Sequence, residues 1–124
     1  RIFDLHVHES MQRIVADRIR PADAKDPYGV AAAHATLAKI YPVLEAMFDR
    51  PAGAGDQTMP WSMGATFTLA DCAAAPALYY ANRVHPFGDE HPRLAAYLKR
   101  LHARPSFARV FREAEPYLPH FPER

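Results

Sequence analysis

Apolar residues recur at helical spacing along most of the 124-residue chain, and no stretch alternates apolar and polar positions as a strand would. The first stripe consists of Val7, Met11, Ile14, Val15 and Ile19. It runs back toward Phe3 with no capping residue ahead of it, and Pro21 ends it because a residue before proline is pushed out of the helical region. The pattern predicts an all-α protein whose first helix is already under way at the start of the sequence.

The next two helices are expected to be separated by loops rich in proline and glycine. After a polar loop at 21–28, a second helix begins near Gly29 and continues through Pro42, because the apolar stripe keeps its phase across that proline. Residues 50–66 hold three glycines and two prolines and are predicted as a loop. A third helix, at 67–83, is apolar on nearly all sides, which is typical of a buried central helix.

Two shorter helices and a tail complete the predicted layout. The fourth helix has Pro92 in its first turn and the fifth begins behind Pro105, a position that proline favours. The tail from Glu115 onward contains three prolines and is expected to be non-helical. We therefore predict one helical domain over residues 1–124, long enough to bury a continuous core.

The residues at the head of the third helix form a capping-box pattern, F-T-L-A-D, over 67–71. Thr68 is a favourable N-cap, the Asp71 carboxylate can reach back to the N–H of Thr68, and Phe67 with Cys72 can form the accompanying hydrophobic staple. This spacing favours a structural role over a catalytic pair. On the capping argument alone, replacing Asp71 by alanine should cost about 1–2 kcal/mol of stability and leave substrate binding unchanged. Cys72 is expected to be a small thiol in the core.

Charge and cysteine content exclude several classes of protein. The 15 basic and 14 acidic side chains give a net charge of +1, without the basic excess typical of nucleic-acid binding. The single cysteine excludes a disulfide framework and a cysteine-based zinc finger. No apolar run approaches the roughly 20 residues of a membrane span, and no leader pattern is visible, so we expect a cytoplasmic protein. Because the first residue is Arg1, we expect a processed chain or a piece of a longer one.

The seven histidines do not form a convincing metal-binding pattern. His6 and His8 are two positions apart and point about 200° apart around a helix, so they cannot share an ion. His85 and His91 lie in a loop with two acidic residues between them, which is at most a weak surface site. We therefore expect no physiological metal.

A polar stripe on the first helix is the main candidate for binding. His6, Ser10, Arg13 and Asp17 follow one another at i, i+4, i+7 and i+11. They form either a solvated face with an Arg13–Asp17 pair, worth a few tenths of a kcal/mol, or the wall of a cleft. The sequence contains no glycine-rich phosphate loop, no Ser/His/Asp order and no paired carboxylates in a plausible pocket, so no catalytic residue is predicted.

Three stretches resemble the C-terminal helical domain of bacterial-type glutathione S-transferases. They are F-T-L-A-D-C-A-A-A-P-A-L, P-R-L-A-A-Y-L-K-R-L-H-A-R-P-S-F and the opening M-Q-R-I-V-A-D-R-I-R-P. The resemblance covers residues 1–122, and the capping-box stretch is its most specific part. It implies a five- to six-helix orthogonal bundle around a buried central helix that starts at Thr68.

The resemblance also implies a division of labour. In this family a thioredoxin-like N-terminal domain binds glutathione and supplies the Tyr, Ser or Cys that handles the thiolate. That domain is expected upstream of this chain, so no catalytic residue is carried over. The helical domain supplies the pocket for a hydrophobic electrophile and part of a homodimer interface. Since the first helix and the tail line the second-substrate side in the family, the resemblance favours His6, Ser10, Arg13 and Asp17 as substrate-binding residues.

Two other functions remain open at this point. In translation factors and aminoacyl-tRNA synthetases, domains resembling this one are non-catalytic interaction modules, and a large neighbouring domain of that kind would favour this alternative. A weaker alternative is a small helical protein that binds apolar ligands, which would need an enclosed cavity. The leading expectation is the helical domain of a glutathione transferase, with glutathione as co-substrate of the parent protein and no nucleic-acid or membrane partner.

Overall fold

The computed structural model describes residues 1–49 and 60–123. Its α-helices are α1 (Glu9–Arg18), α2 (Pro27–Met47), α3 (Leu69–Val84), α4 (Pro92–Ala103) and α5 (Pro105–Ala114). A π-helical segment, Phe3–His8, leads directly into α1, and short 3₁₀ helices lie at Ala22–Ala24 and Glu115–His120. These two ranges contain no β-strand, which confirms the all-α class. The part of the predicted 50–66 loop at 50–59 lies outside the described residues.

The first apolar stripe faces the centre of the molecule. Phe3, Val7, Met11 and Ile14 are all at most 3% exposed, and the segment that carries them packs mainly on α3 and α2. No side chain caps the start of this helix, as the sequence indicated. At its other end, the Lys25 ammonium donates to the carbonyl oxygens of Asp17 (2.6 Å) and Arg18 (3.1 Å), which satisfies acceptors that the last turn leaves free.

Helix α2 begins two residues earlier than the stripe suggested, at Pro27. The Asp26 carboxylate accepts from the backbone N–H of Gly29 at 2.8 Å, so Asp26 is the N-cap and Pro27 occupies the first helical position. Pro42 lies inside α2, and the helix continues past it as predicted. Both Pro42 and Ala38, whose carbonyl loses its helical partner there, are exposed, so water can satisfy that carbonyl.

Helix α3 occupies the middle of the bundle. Ala74, Leu78 and Ala81 are fully buried, and their small or slender side chains let the π-helical segment approach closely. The first turn of α3 has one buried and one exposed side: Asp71 is 0% exposed, whereas Leu69 is 84% exposed and Cys72 is exposed. The expectation of a core thiol at Cys72 is therefore wrong, because Cys72 lies on the side of the first turn that faces away from the core.

The expectation that the tail is non-helical is also wrong. Residues Glu115–His120 form a 3₁₀ helix with Pro116 in its first turn, where its missing N–H breaks no hydrogen bond. Beyond it, the Phe121 ring stacks on Tyr80 with centroids 5.1 Å apart, and the Arg18 guanidinium donates to the carbonyl of Pro122 at 2.8 Å. These contacts hold the end of the chain against α1 and α3.

The core is formed by side chains from the π-helical segment, α1, α2, α3 and α4. Its largest fully buried members are Leu37, Tyr41 and Leu44 of α2, Leu78 of α3, and Leu94, Tyr97 and Leu101 of α4. No described helix combines the length and the apolar character needed to cross a bilayer.

Candidate functional site

The predicted capping box at the head of α3 is present, and its carboxylate does more than cap. Oδ2 of Asp71 accepts from the backbone N–H of Thr68 at 2.8 Å and from its hydroxyl at 3.1 Å. Oδ1 accepts from the N–H of Ser62 at 2.8 Å and from the Tyr97 hydroxyl at 2.6 Å. Asp71 is 0% exposed, so one buried carboxylate joins the loop before α3, the start of α3 and the middle of α4.

These hydrogen bonds determine the charge state of Asp71. Burial raises the pKa of its carboxyl, but the hydrogen bonds from Tyr97, Ser62 and Thr68 outweigh it, and the net pKa lies below the usual value. Burial makes the largest contribution to the raised pKa of Tyr97, and the hydrogen bond to Asp71 raises it further. Asp71 is therefore an anion and Tyr97 a neutral donor at neutral pH. This arrangement suits a structural junction, since neither group is poised to exchange a proton.

A second buried carboxylate, which the sequence analysis missed, caps α4. The two oxygens of Glu45 accept from the backbone N–H groups of Arg93 (2.9 Å) and Leu94 (2.8 Å), while the Arg93 guanidinium lies 3.5 Å from Glu45. The side chain of His91, the local N-cap residue, makes no capping hydrogen bond to α4. A proline at the first helical position without a Ser, Thr, Asp or Asn before it was the one sequence signal that the cap comes from elsewhere in the fold.

Part of the polar stripe lines a groove between the first helix and α2. The groove has a volume of about 170 Å³ and is lined by Leu5, Glu9, Ser10, Arg13, Ala32, Ala33 and Thr36. Ser10 is 8% exposed, whereas His6 and Arg13 are exposed. The structure thus brings Ser10 and Arg13 together in the lining of this groove, which His6 and Asp17 do not line.

The predicted Arg13–Asp17 pair does not form. The Arg13 guanidinium lies 3.6 Å from Glu9, one turn toward the N-terminus, and the pair is well exposed. Asp17 instead accepts from the backbone N–H of Asp26 at 2.7 Å and pairs with Arg20 at 3.6 Å. The Asp17 carboxylate therefore bonds to the loop after α1, because the backbone N–H of Asp26 is held nearby and is a better partner than the flexible Arg13 guanidinium one turn away.

An apolar cavity of about 350 Å³ lies where the first helix meets the head of α3. It is predominantly apolar and its lining includes Ile2, Phe3, Met47, Met63, Leu69 and Ala73. Met63 and Leu69 are 70% and 84% exposed, so the cavity continues into an apolar surface. Such a surface is suited to an apolar ligand or to a second protein domain.

A smaller groove, about 180 Å³, contains the exposed Cys72. The Arg104 guanidinium lies over the Phe67 ring at 3.6 Å from its centroid, and Phe107 also lines the groove. Sequence spacing placed Cys72 near Phe67, but it gave no sign that α5 would leave an open groove there.

The histidines do not converge on a metal site in the part of the chain that the structure describes. No group of three or more His, Cys, Asp or Glu side chains there has a geometry that could hold an ion. His91 instead bonds to the carbonyl oxygen of Phe87 at 2.7 Å. The His85 ring lies 2.9 Å, Nδ1 to Nδ1, from that of His34.

Comparison with known proteins gives one family match. The family described as "Glutathione S-transferase, C-terminal domain" matches residues 27–100, more than half of the chain. The match spans α2, α3 and most of α4, including the capping box and the Glu45 cap, but not the stripe from His6 to Asp17. Searches of curated proteins and of solved structures gave no match.

Proposed function

The chain belongs to the family of glutathione S-transferase C-terminal domains, and on that premise we propose that it is the helical half of a glutathione transferase. The other half is a thioredoxin-like domain of the same parent chain that binds glutathione as co-substrate. In the reaction, the thiolate sulfur forms a bond to the electrophilic carbon of a small hydrophobic substrate, and the displaced electron pair leaves with the leaving group or moves onto an acceptor atom. The parent would thereby remove reactive electrophiles in the cytoplasm.

No residue of this chain is proposed as catalytic. The thiolate is stabilised by a donor in the thioredoxin-like domain, aimed at the charge on sulfur. This chain contributes orientation and an apolar environment, which raise the effective concentration of the electrophile near the thiolate. The observation that supports this assignment most strongly is the family match across α2 to α4.

The two openings along the first helix support distinct roles. The apolar surface at Met63 and Leu69 provides contact area for the thioredoxin-like domain and an apolar lining for the electrophile. The groove at Ser10 and Arg13 provides polar groups that orient the electrophile. His6 and Asp17 remain proposed substrate-binding residues along the same helix. The parent is proposed to be a homodimer, and the exposed apolar side chains of Tyr28 and Val43 on α2 are candidates for its interface.

Replacing Arg13 by alanine in the parent enzyme should raise the KM for the electrophile by about 3- to 10-fold, because a charged contact at the groove is lost. The KM for glutathione should be unchanged. Arg109→Ala is the matched control, since Arg109 forms a similarly exposed i,i+4 pair with Glu113 on α5 at 2.9 Å. An equal change of KM in both variants, or none in either, would remove Arg13 from the substrate side.

The division of labour is tested with the 124-residue chain by itself. Isothermal calorimetry should detect no binding of glutathione, and assays with glutathione and an electrophile should give no rate above the uncatalysed one. The parent chain is the positive control in both measurements. Turnover by the 124 residues alone would show that a catalytic group lies in this chain.

A further inference from the structure

Two imidazoles meet where α2 packs against the end of α3. His34 lies in the middle of α2 and His85 follows the last residue of α3, and their Nδ1 atoms are 2.9 Å apart. Both side chains are half-buried, and their ring centroids are 5.2 Å apart. The backbone of His85 is held at this place, because its N–H bonds to Ala81 (2.8 Å) and its carbonyl accepts from the Tyr41 hydroxyl (2.8 Å).

Two ring nitrogens at this distance attract only if one carries a proton and the other does not. With both rings neutral, one is the Nδ1–H tautomer and donates to its partner. After one proton is added, the cationic ring can still donate to the neutral one. After a second proton is added, two N–H groups and two positive charges face each other, and the contact becomes repulsive. We propose that His34 and His85 form a proton-dependent clasp, which holds α2 to the end of α3 in the first two states and opens in the third.

The surroundings of the clasp oppose its protonation. Burial, followed by the positive charge of Arg18 on α1, lowers the pKa of His34. Burial lowers the pKa of His85 most, and the charges of His34 and then His91 lower it further. The C-terminal end of the α3 dipole favours a proton on His85, but the net pKa of His85 still lies below its usual value. Tyr41 stays neutral because burial raises its pKa, and within residues 1–49 and 60–123 no carboxylate bonds to either ring.

The sign of the pH dependence follows from these directions. A histidine whose pKa is lowered by folding binds protons less readily in the folded chain than in the unfolded one. The stability it contributes is complete above the unfolded pKa, near 6.5, and is lost as pH falls through the lower folded value. Stability should therefore decline between about pH 7 and pH 5. For each proton that the unfolded chain binds and the folded chain does not, the unfolding constant rises by at most about tenfold per unit of pH decrease.

Tautomers of the wild-type chain give the first test. In ¹⁵N-detected NMR of the imidazole rings at pH 7.5, exactly one ring of the His34–His85 pair should carry its proton on Nδ1. Exposed histidines such as His8 should show the usual Nε2–H preference. If both rings of the pair are Nε2–H tautomers, the clasp does not exist. This measurement needs no variant and decides the proposal even if a substituted chain fails to fold.

Urea unfolding from pH 8 to pH 5 gives the second test, with His34→Gln compared with the wild type. Between pH 7 and pH 5 the unfolding constant should rise about five- to tenfold more in the wild type than in His34→Gln. His8→Gln, an exposed change in the first helix, should keep the wild-type dependence. His102, whose pKa burial also lowers, contributes equally to every variant. Parallel pH profiles for the wild type and His34→Gln would overturn the proposal.

Discussion

Replacing Asp71 by alanine is expected to lower the free energy of unfolding by about 3–5 kcal/mol, well beyond the value of a helix cap alone. The fully buried carboxylate accepts four hydrogen bonds, from Thr68, Ser62 and Tyr97, and its removal leaves buried donors without partners. Each unsatisfied donor costs about 1–3 kcal/mol. Chemical denaturation of wild type and variant at pH 7 measures the difference.

Three control variants separate the cap from the junction. Thr68→Ala removes only one hydroxyl from the box and should cost about 1 kcal/mol. Tyr97→Phe removes one donor, and a double-mutant cycle with Asp71→Ala should give a coupling energy of about 1–3 kcal/mol. Asp71→Asn should fall between wild type and alanine. A loss near 1 kcal/mol for Asp71→Ala, with no coupling to Tyr97, would contradict the junction and return Asp71 to a simple cap.

The same carboxylate gives a pH signature at acid pH. Because the hydrogen bonds hold its folded pKa below the usual value, its contribution is complete above about pH 4 and is lost as pH falls through the folded pKa. The Asp71→Asn variant should lose this part of the acid dependence. The window lies below that of the His34–His85 clasp, so the two effects are separable.

Replacing Glu45 by alanine is expected to cost about 2–4 kcal/mol. Glu45 is 9% exposed and is the only described side chain that accepts from the backbone N–H groups of Arg93 and Leu94, which begin α4. Hydrogen bonds to a charged acceptor are worth about 1.5–3 kcal/mol, and Leu94 is too buried for water to replace the lost partner. Thermal and urea unfolding report the loss.

Asp49→Ala is the matched control for Glu45. Asp49 pairs with the same arginine, Arg93, at 2.6 Å, but both side chains are about half exposed. An exposed pair of this kind is worth at most about 1 kcal/mol. If the two alanine variants lose the same stability, the contribution of Glu45 comes from its ion pair with Arg93 and not from the cap.

Helical periodicity predicted the five helices because the first four bury a set of apolar side chains, and α5 packs Phe107 and Phe111 partly against the bundle. The sequence also predicted the continuation of α2 through Pro42 and the capping box at Thr68 and Asp71, since both depend on residues within a few positions of each other. The early start of α2 was missed because the Asp26 cap was not recognised. The helical tail was not predicted, because three prolines argue against an α-helix. A 3₁₀ helix accommodates Pro116 in its first turn.

The candidate site was less predictable because it depends on contacts between distant segments. Spacing placed Ser10 and Arg13 on one face, but only the packing of α2 shows that this face lines a groove. Asp17 has an equally good position by spacing, but its carboxylate accepts from the backbone N–H of Asp26. The hydrogen bonds from Tyr97 to Asp71 and from the start of α4 to Glu45 join residues 26 and 48–49 positions apart, so no local pattern could have shown them.

The central proposal is tested most directly by assaying the parent chain for turnover of glutathione with a panel of small hydrophobic electrophiles. We expect saturable conjugation with at least one of them, together with binding of glutathione by the parent and none by residues 1–124 alone. Absence of both turnover and glutathione binding in the intact, folded parent would contradict the transferase assignment. That result would favour a non-catalytic interaction module built on the same helical fold.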